Sequence, residues 1–354
     1  MANGSHRAPR IAEALPRPAD LMRVGPNGGA HRVALRLAIS ALAPVVVLHA
    51  SGHPEWSAHA LLVSTVAVYG RQRPPWVRLR IQCEVALPQV LSVVGGAALA
   101  VVRPAPWLLV VVVAVVSAAC ATVADLRRWN PPGALFFLFA FAVEASAPNV
   151  ESTGVVVALA VAMGSAAVVL AVTVLDARFA HPSDAMTSIP DRAPGRVVAA
   201  QAVACLVAAL VAGQTAVALG LDRPYWAMVS AVVPIVGTAT LAQVARASHR
   251  LIGTLAGIVP AVLLFQLPLS GLWLSVVLVA LMAGTEMLVT RNYACALFFL
   301  TPMTIGMALT QPGSSLPVLL ADRALETVLG VATALVAIVA THRIRHPGAA
   351  RTLA

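Results

Sequence analysis

Long uncharged apolar runs constrain this chain more than any other feature. Residues 104–124, 154–175 and 197–221 contain no charged side chain. Each reaches the roughly 20 residues that a helix needs to cross about 30 Å of hydrocarbon. Backbone polar groups in lipid must be satisfied within the segment, and runs of this length do so as helices. The composition agrees: 59% of the 354 residues are hydrophobic, 11% are charged, and the mean hydropathy is +0.86. Soluble domains average about 45–50% apolar and about 25% charged residues, so a water-soluble core cannot absorb this excess. The expected fold is all-α, a polytopic transmembrane helical bundle, and a soluble enzyme is excluded.

Turn signals divide the apolar sequence into about twelve helices. The first half, 33–175, gives 33–50, 55–70, 83–102, 105–124, 131–147 and 154–175. A polar, proline-bearing linker follows at 176–195. The second half, 196–341, gives 196–219, 224–241, 250–267, 271–289, 292–310 and 318–341. The tails 1–32 and 342–354 are polar, and the polar stretch ahead of residue 33 argues against a cleavable signal peptide.

All 24 basic residues are arginines, against 14 acids. Only Arg103, Arg223 and Arg323 fall on the turns that face outward if the amino terminus is cytoplasmic; the others sit on inward loops and tails. That asymmetry places both termini in the cytoplasm of a bacterial inner membrane. The positive charge therefore reads as topology and contact with the lipid bilayer, not as a nucleic-acid groove. Cys83, Cys120, Cys205 and Cys295 are far apart, show no metal spacing and read as small core residues.

The halves resemble each other. Pro54-Glu55-Trp56 and Pro224-Tyr225-Trp226 each open a helix, and Arg80 and Arg250 each lie 24 residues beyond the Trp. Asn130 with Ala134-Leu-Phe-Phe-Leu138 is echoed by Asn292 with Ala296-Leu-Phe-Phe-Leu300. Six helices per half make this a parallel repeat about an axis near the membrane normal.

In the second half, Arg223-Pro-Tyr-Trp226, Ser248-His-Arg-Leu-Ile-Gly-Thr254, Tyr293, Thr301-Pro302, Asp322-Arg-Ala-Leu-Glu-Thr327 and Gly330 form a pattern. It resembles the fusaric acid resistance protein-like integral membrane transporter family, which is related to the aromatic acid exporters. In the first half Pro54, Trp56 and Arg80 persist, but no Asp-Arg-x-x-x-Thr motif accompanies the sixth helix. The resemblance implies export or conduction of small organic anions, aromatic ones among them, between pseudo-symmetric halves. The alternatives are an anion channel and a non-transporting accessory membrane protein. No cofactor or metal is implied, and self-association into a homo-oligomer is left open.

Arg80 and Arg250 stand where an inner loop enters a helix. There a guanidinium meets an anion beside free helix N-terminal amides or simply anchors the inner face. His249 adds a donor next to Arg250, and Gly253 and Gly257 form a close-packing face. Arg323, outward and beside Asp322, is either a funnel for anions at the mouth or half of a solvated ion pair. Tyr225, Trp226 and Trp56 read as outer-interface anchors or as surfaces for an aromatic substrate.

Carboxylates within apolar sequence are Glu84, Glu144, Glu286 and Glu326. Glu286 is placed to pair with Arg291 or relay protons; Glu144, with no local partner, is the preferred proton-coupling residue. His49, His53 and His59 gather near Glu55 without a zinc-binding pattern. Chemistry-bearing motifs such as GxSxG, HExxH, Walker A and GxGxxG are absent from the sequence.

Overall fold

The computed structural model describes residues 23–178 and 194–345, apart from Gln72, Asn149, Thr238 and Pro312. The expected tail up to residue 22, the linker at 179–193 and the tail from 346 lie outside the described residues. The chain is all-helical there. In order it forms α1 (Ala30–Ala50), α2 (Ser57–Ser64), α3 (Pro75–Val102), α4 (Pro106–Arg127), α5 (Leu135–Ala145), α6 (Ser152–Ala177), α7 (Gly195–Ala218), α8 (Tyr225–Val232), α9 (Thr240–Leu264), α10 (Gly271–Leu288), α11 (Tyr293–Leu309) and α12 (Leu316–Arg345).

The expected twelve helices are present among the described residues, with two kinds of length. Eight are long and apolar enough to cross a membrane. They carry apolar side chains outward, such as Leu35, Leu87, Val115, Val207 and Leu263, as helices facing lipid do. The second and fifth helices of each half are short instead. α2 and α8 have only eight residues, α5 has 11 and α11 has 17. The expectation of full spans at 55–70, 131–147 and 224–241 is corrected here: apolar composition alone does not separate a helix facing lipid from a short one enclosed by others. Every residue of α8 is buried. Pro234, which has no N–H to donate, follows closely on its end. α2 tightens into a 3-10 turn at Thr65–Val68 and stops where Tyr69 turns extended. The third helix begins at Pro75 and not at 83, and the last runs to Arg345.

Unwound backbone at membrane depth survives only where protein groups take its hydrogen bonds. Glutamines do so after both short second helices. Gln82 on α3 donates to Ala67 O and Tyr69 O, each at 3.3 Å. Gln243 on α9 donates to Ile235 O and Gly237 O, each at 2.7 Å, and Gln201 on α7 donates to Ile235 O as well.

Packing pairs recur between the halves. α3 packs on α5 and α6 as α9 packs on α11 and α12, and α2 meets α6 as α8 meets α12. Between halves, α1 lies on α10 and α7 lies on α4.

Candidate functional site

Two cavities lie one behind the other between the halves. The inner one, about 110 Å³, has walls from α1, α2 and α5 of the first half and α8 to α12 of the second. Leu37, Leu62, Phe136, Val229 and Met303 make it apolar, and Arg250, Arg323 and Glu286 bring charge to it. The outer one, a vestibule of about 770 Å³, is bounded by Pro54 to Trp56, by Pro148 and Val150, and by Thr310 and Gln311. Leu61, Phe139, Leu278 and Met307 line both, and so form the layer between them.

Close helix approach buries Arg250, which is 1% exposed. A Cβ on Gly253 would lie 2.5 Å from Ala294 O, and one on Gly257 2.8 Å from Leu297 O, so α11 rests directly on α9 there. Tyr293, at the start of α11, thereby brings its hydroxyl 2.8 Å from Arg250 Nη1. Arg250 Nε donates to Ser230 Oγ on α8 at 3.0 Å. His249 is half-buried one residue earlier.

Arg323 is 2% exposed, within α12 and not on an outward turn. The outer-mouth reading of Arg323 and Asp322 is corrected accordingly: α12 starts at Leu316, so its second turn already lies inside the bundle. Asp322 is buried too, at 7%. The Arg323 guanidinium carbon stands 4.9 Å from the ring centroid of Trp226. Trp226 is 1% exposed and Tyr225 4%, which corrects their reading as interface anchors: α8 is an interior helix and carries both inward. Arg323 Nε and Trp226 Nε1 are buried donors without a hydrogen-bond partner. Among the described residues neither Arg250 nor Arg323 has a carboxylate within salt-bridge distance. Glu326, fully buried on the next turn of α12, has neither oxygen in a hydrogen bond of good geometry.

Charge pairs stand beside the Glu286 wall of the smaller cavity. Glu286 pairs with Arg71 of the α2–α3 connection, not with Arg291, whose Nε donates to Gly25 O at 2.9 Å. Sequence proximity suggested Arg291; the fold brings a residue of the other half instead. Asp176, at the end of α6, takes Arg78 and, at 3.3 Å, Arg36.

Glu144 is 4% exposed and has a partner after all: His59 Nδ1 lies 2.7 Å from its Oε1. The two are 85 residues apart, so no local pattern shows the contact. His53 stacks on Trp56 at 3.9 Å and contacts Glu55 at 3.2 Å. The backbone N–H of Glu55, ahead of His53, holds its carboxyl below the usual carboxylate range. No group of metal-ligating side chains forms among the described residues. Arg80, in contrast to Arg250, has a side chain 80% exposed and contacts Glu84 at 3.3 Å on the outside of α3. Of the cysteines only Cys205 is fully buried, and Cys83 faces outward.

Residues 203–337 match the model of a family described as fusaric acid resistance protein-like. That match covers less than half of the chain and shows what this segment is similar to. An 87-residue stretch is 39% identical to the membrane protein YvaC of Bacillus subtilis (strain 168), covering 24% of this chain and 14% of that protein. The match thus spans a small part of that relative's length. No solved structure matches the chain. The matched segment holds Trp226, Arg250, Tyr293, Arg323 and Glu326, whereas His59 and Glu144 lie outside it.

Proposed function

We propose that the chain is a secondary transporter carrying small organic anions, aromatic ones included, out across the bacterial inner membrane. The single observation behind this reading is the pair Arg250 and Arg323: buried cations on a cavity whose lining carboxylate, Glu286, is taken by Arg71, so that neither has a carboxylate at salt-bridge distance. A buried, unpaired ion costs several kcal/mol, and an anion between the two guanidinium groups offsets that cost. The partnerless Arg323 Nε and Trp226 Nε1 are donors that a carboxylate or sulfonate accepts, and the Trp226 ring suits an aromatic body. The recurrent packing of the halves supports a pathway on their shared axis, with both termini cytoplasmic.

Closure at both ends, by the Arg71–Glu286 pair inside and the Leu61–Phe139 layer outside, favours alternating access over an open channel. The test is flux of benzenesulfonate, an aromatic anion charged at all working pH values, into proteoliposomes. Saturable one-for-one counterflow of labelled against unlabelled benzenesulfonate supports a transporter. Flux that follows voltage alone indicates a channel, and absence of flux an accessory role.

A further inference from the structure

The outer vestibule differs in charge from the cavity behind it. Its titratable lining comprises His49, Glu55, His59, Glu144, Glu151 and Tyr225, and no arginine among the described residues lines it. At its depth the His59 and Glu144 side chains, 18% and 5% exposed, meet at 2.7 Å. The pair is wetted on one side and enclosed on the other. Ionisable groups within membrane helices are costly to retain and mark ion or proton pathways.

We infer that His59 and Glu144 form the proton-binding site that couples this transporter to the proton gradient. The inference rests on the anion-transport reading above and adds to it the coupling ion and its residues. Three observations carry it.

First, the pair belongs to one half only. With Trp56 aligned to Trp226, Val229 stands opposite His59; with Ala134 aligned to Ala296, Gly306 stands opposite Glu144. Conversely, Val161 stands opposite Arg323. One half carries the titratable pair and the other the buried cation.

Second, the helices that carry the pair also carry the layer closing the inner cavity. His59 opens α2, which continues into Leu61, Leu62 and Thr65; Glu144 ends α5, which holds Phe139 and Phe136 deeper in. A change in the bond between their outer ends is a change at Leu61 and Phe139.

Third, His59 and Glu144 are the pair of opposite-type titratable groups that meet at the depth of the vestibule. His49 of α1, Glu55, Glu151 just ahead of α6 and Tyr225 of α8 line the same vestibule, with His53 on Glu55 and Arg223 beside Gln311 and Tyr225. On α3 residues 85–102, and on α4 residues 106–119, carry no titratable side chain. No guanidinium competes with His59 for Glu144.

The sequence of events follows from charge. Without the proton, the carboxylate repels an anion standing in the vestibule; the anion leaves outward. A proton from the outer water then converts the pair to imidazolium and carboxylate. Two opposite full charges attract each other more strongly in this enclosed site than carboxylate and neutral imidazole do, which draws α2 to α5 and closes the layer. Once the layer has closed, release of that proton toward the opposite side returns the pair to its first state, so that anion and proton move in opposite directions.

The test uses right-side-out membrane vesicles loaded with benzenesulfonate. Acidifying the vestibule side is expected to accelerate efflux toward that side, and this stimulation is expected to vanish in Glu144→Gln and in His59→Gln. Full stimulation in either variant, or wild-type exchange indifferent to the gradient, overturns the inference. Absence of any benzenesulfonate movement in wild type contradicts the transport reading. Infrared difference spectra between neutral and mildly acidic pH then decide the proton site alone. Imidazole and carboxyl bands that change together in wild type, and not in Glu144→Gln, support the pair; spectra identical in the two proteins overturn it.

Discussion

The guanidinium of Arg323 lies 4.9 Å over the ring of Trp226, joining the last long helix to the short interior helix α8. This geometry holds a buried cation flat against the cavity wall with its Nε unpartnered. Hydrogen bonds to a charged group contribute about 1.5–3 kcal/mol, so Arg323→Gln weakens anion binding by about tenfold to a hundredfold. Arg323→Lys does not restore it, because an ammonium cannot stack or present a planar fork. Titration of benzenesulfonate against solubilised protein checks both.

Glycine contacts on α12 give a prediction about stability. A Cβ at Gly330 would run into Ala227 O and stand 2.5 Å from Ser230 Cβ, whereas at Gly164 of α6 it would meet nothing within 4 Å. Gly330→Ala is therefore expected to destabilise the protein by about 1–3 kcal/mol, as overpacking does. Gly164→Ala is expected to be neutral or to stabilise by up to about 1 kcal/mol. Thermal unfolding in detergent separates them.

Breaking the Arg71–Glu286 pair leaves a buried charge and costs about 3–5 kcal/mol. Glu286→Gln is expected to open the inner side, so that a cysteine at Met282 on the cavity wall reacts faster with a water-soluble maleimide applied from the cytoplasmic face. The double charge reversal Arg71→Glu with Glu286→Arg is expected to slow that reaction again. Labelling rates in inside-out vesicles provide the measurement.

Gln82→Leu removes the donor serving the unwound carbonyls of Ala67 and Tyr69. Unsatisfied buried acceptors cost about 1–3 kcal/mol, and a lower thermal midpoint is expected. An unchanged midpoint would show that the break after α2 does not depend on this side chain.

Helix number and the membrane class were legible in the sequence because uncharged runs of such length have few other solutions. Arg250 was legible as a candidate from its motif, and Glu144 from its isolation in apolar sequence. What hydropathy did not carry was depth. α8 is as apolar as the long helices, yet it is enclosed, and this reversed the readings of Tyr225 and Trp226, while Arg323 proved to lie within long α12 and not on a turn. A signal was available: Pro- and Gly-bounded short segments at corresponding places in two halves point to the substrate region of repeat transporters. Partners such as His59 for Glu144 and Arg71 for Glu286 depend on contacts between distant helices, which no local spacing encodes. Arg80 shows the converse, since the spacing it shares with Arg250 does not give it the same burial.

The central claim is that Arg250 and Arg323 hold the transported anion. Diffraction from crystals soaked in 4-bromobenzenesulfonate, at the bromine absorption edge, tests it most directly. The account predicts a bromine peak in the inner cavity beside Trp226, with the sulfonate on Arg250 and Arg323, and loss of that peak in the Arg250→Gln, Arg323→Gln double variant. Saturable transport of the same anion by wild type with its bromine elsewhere, or by the double variant at the wild-type rate, would contradict it.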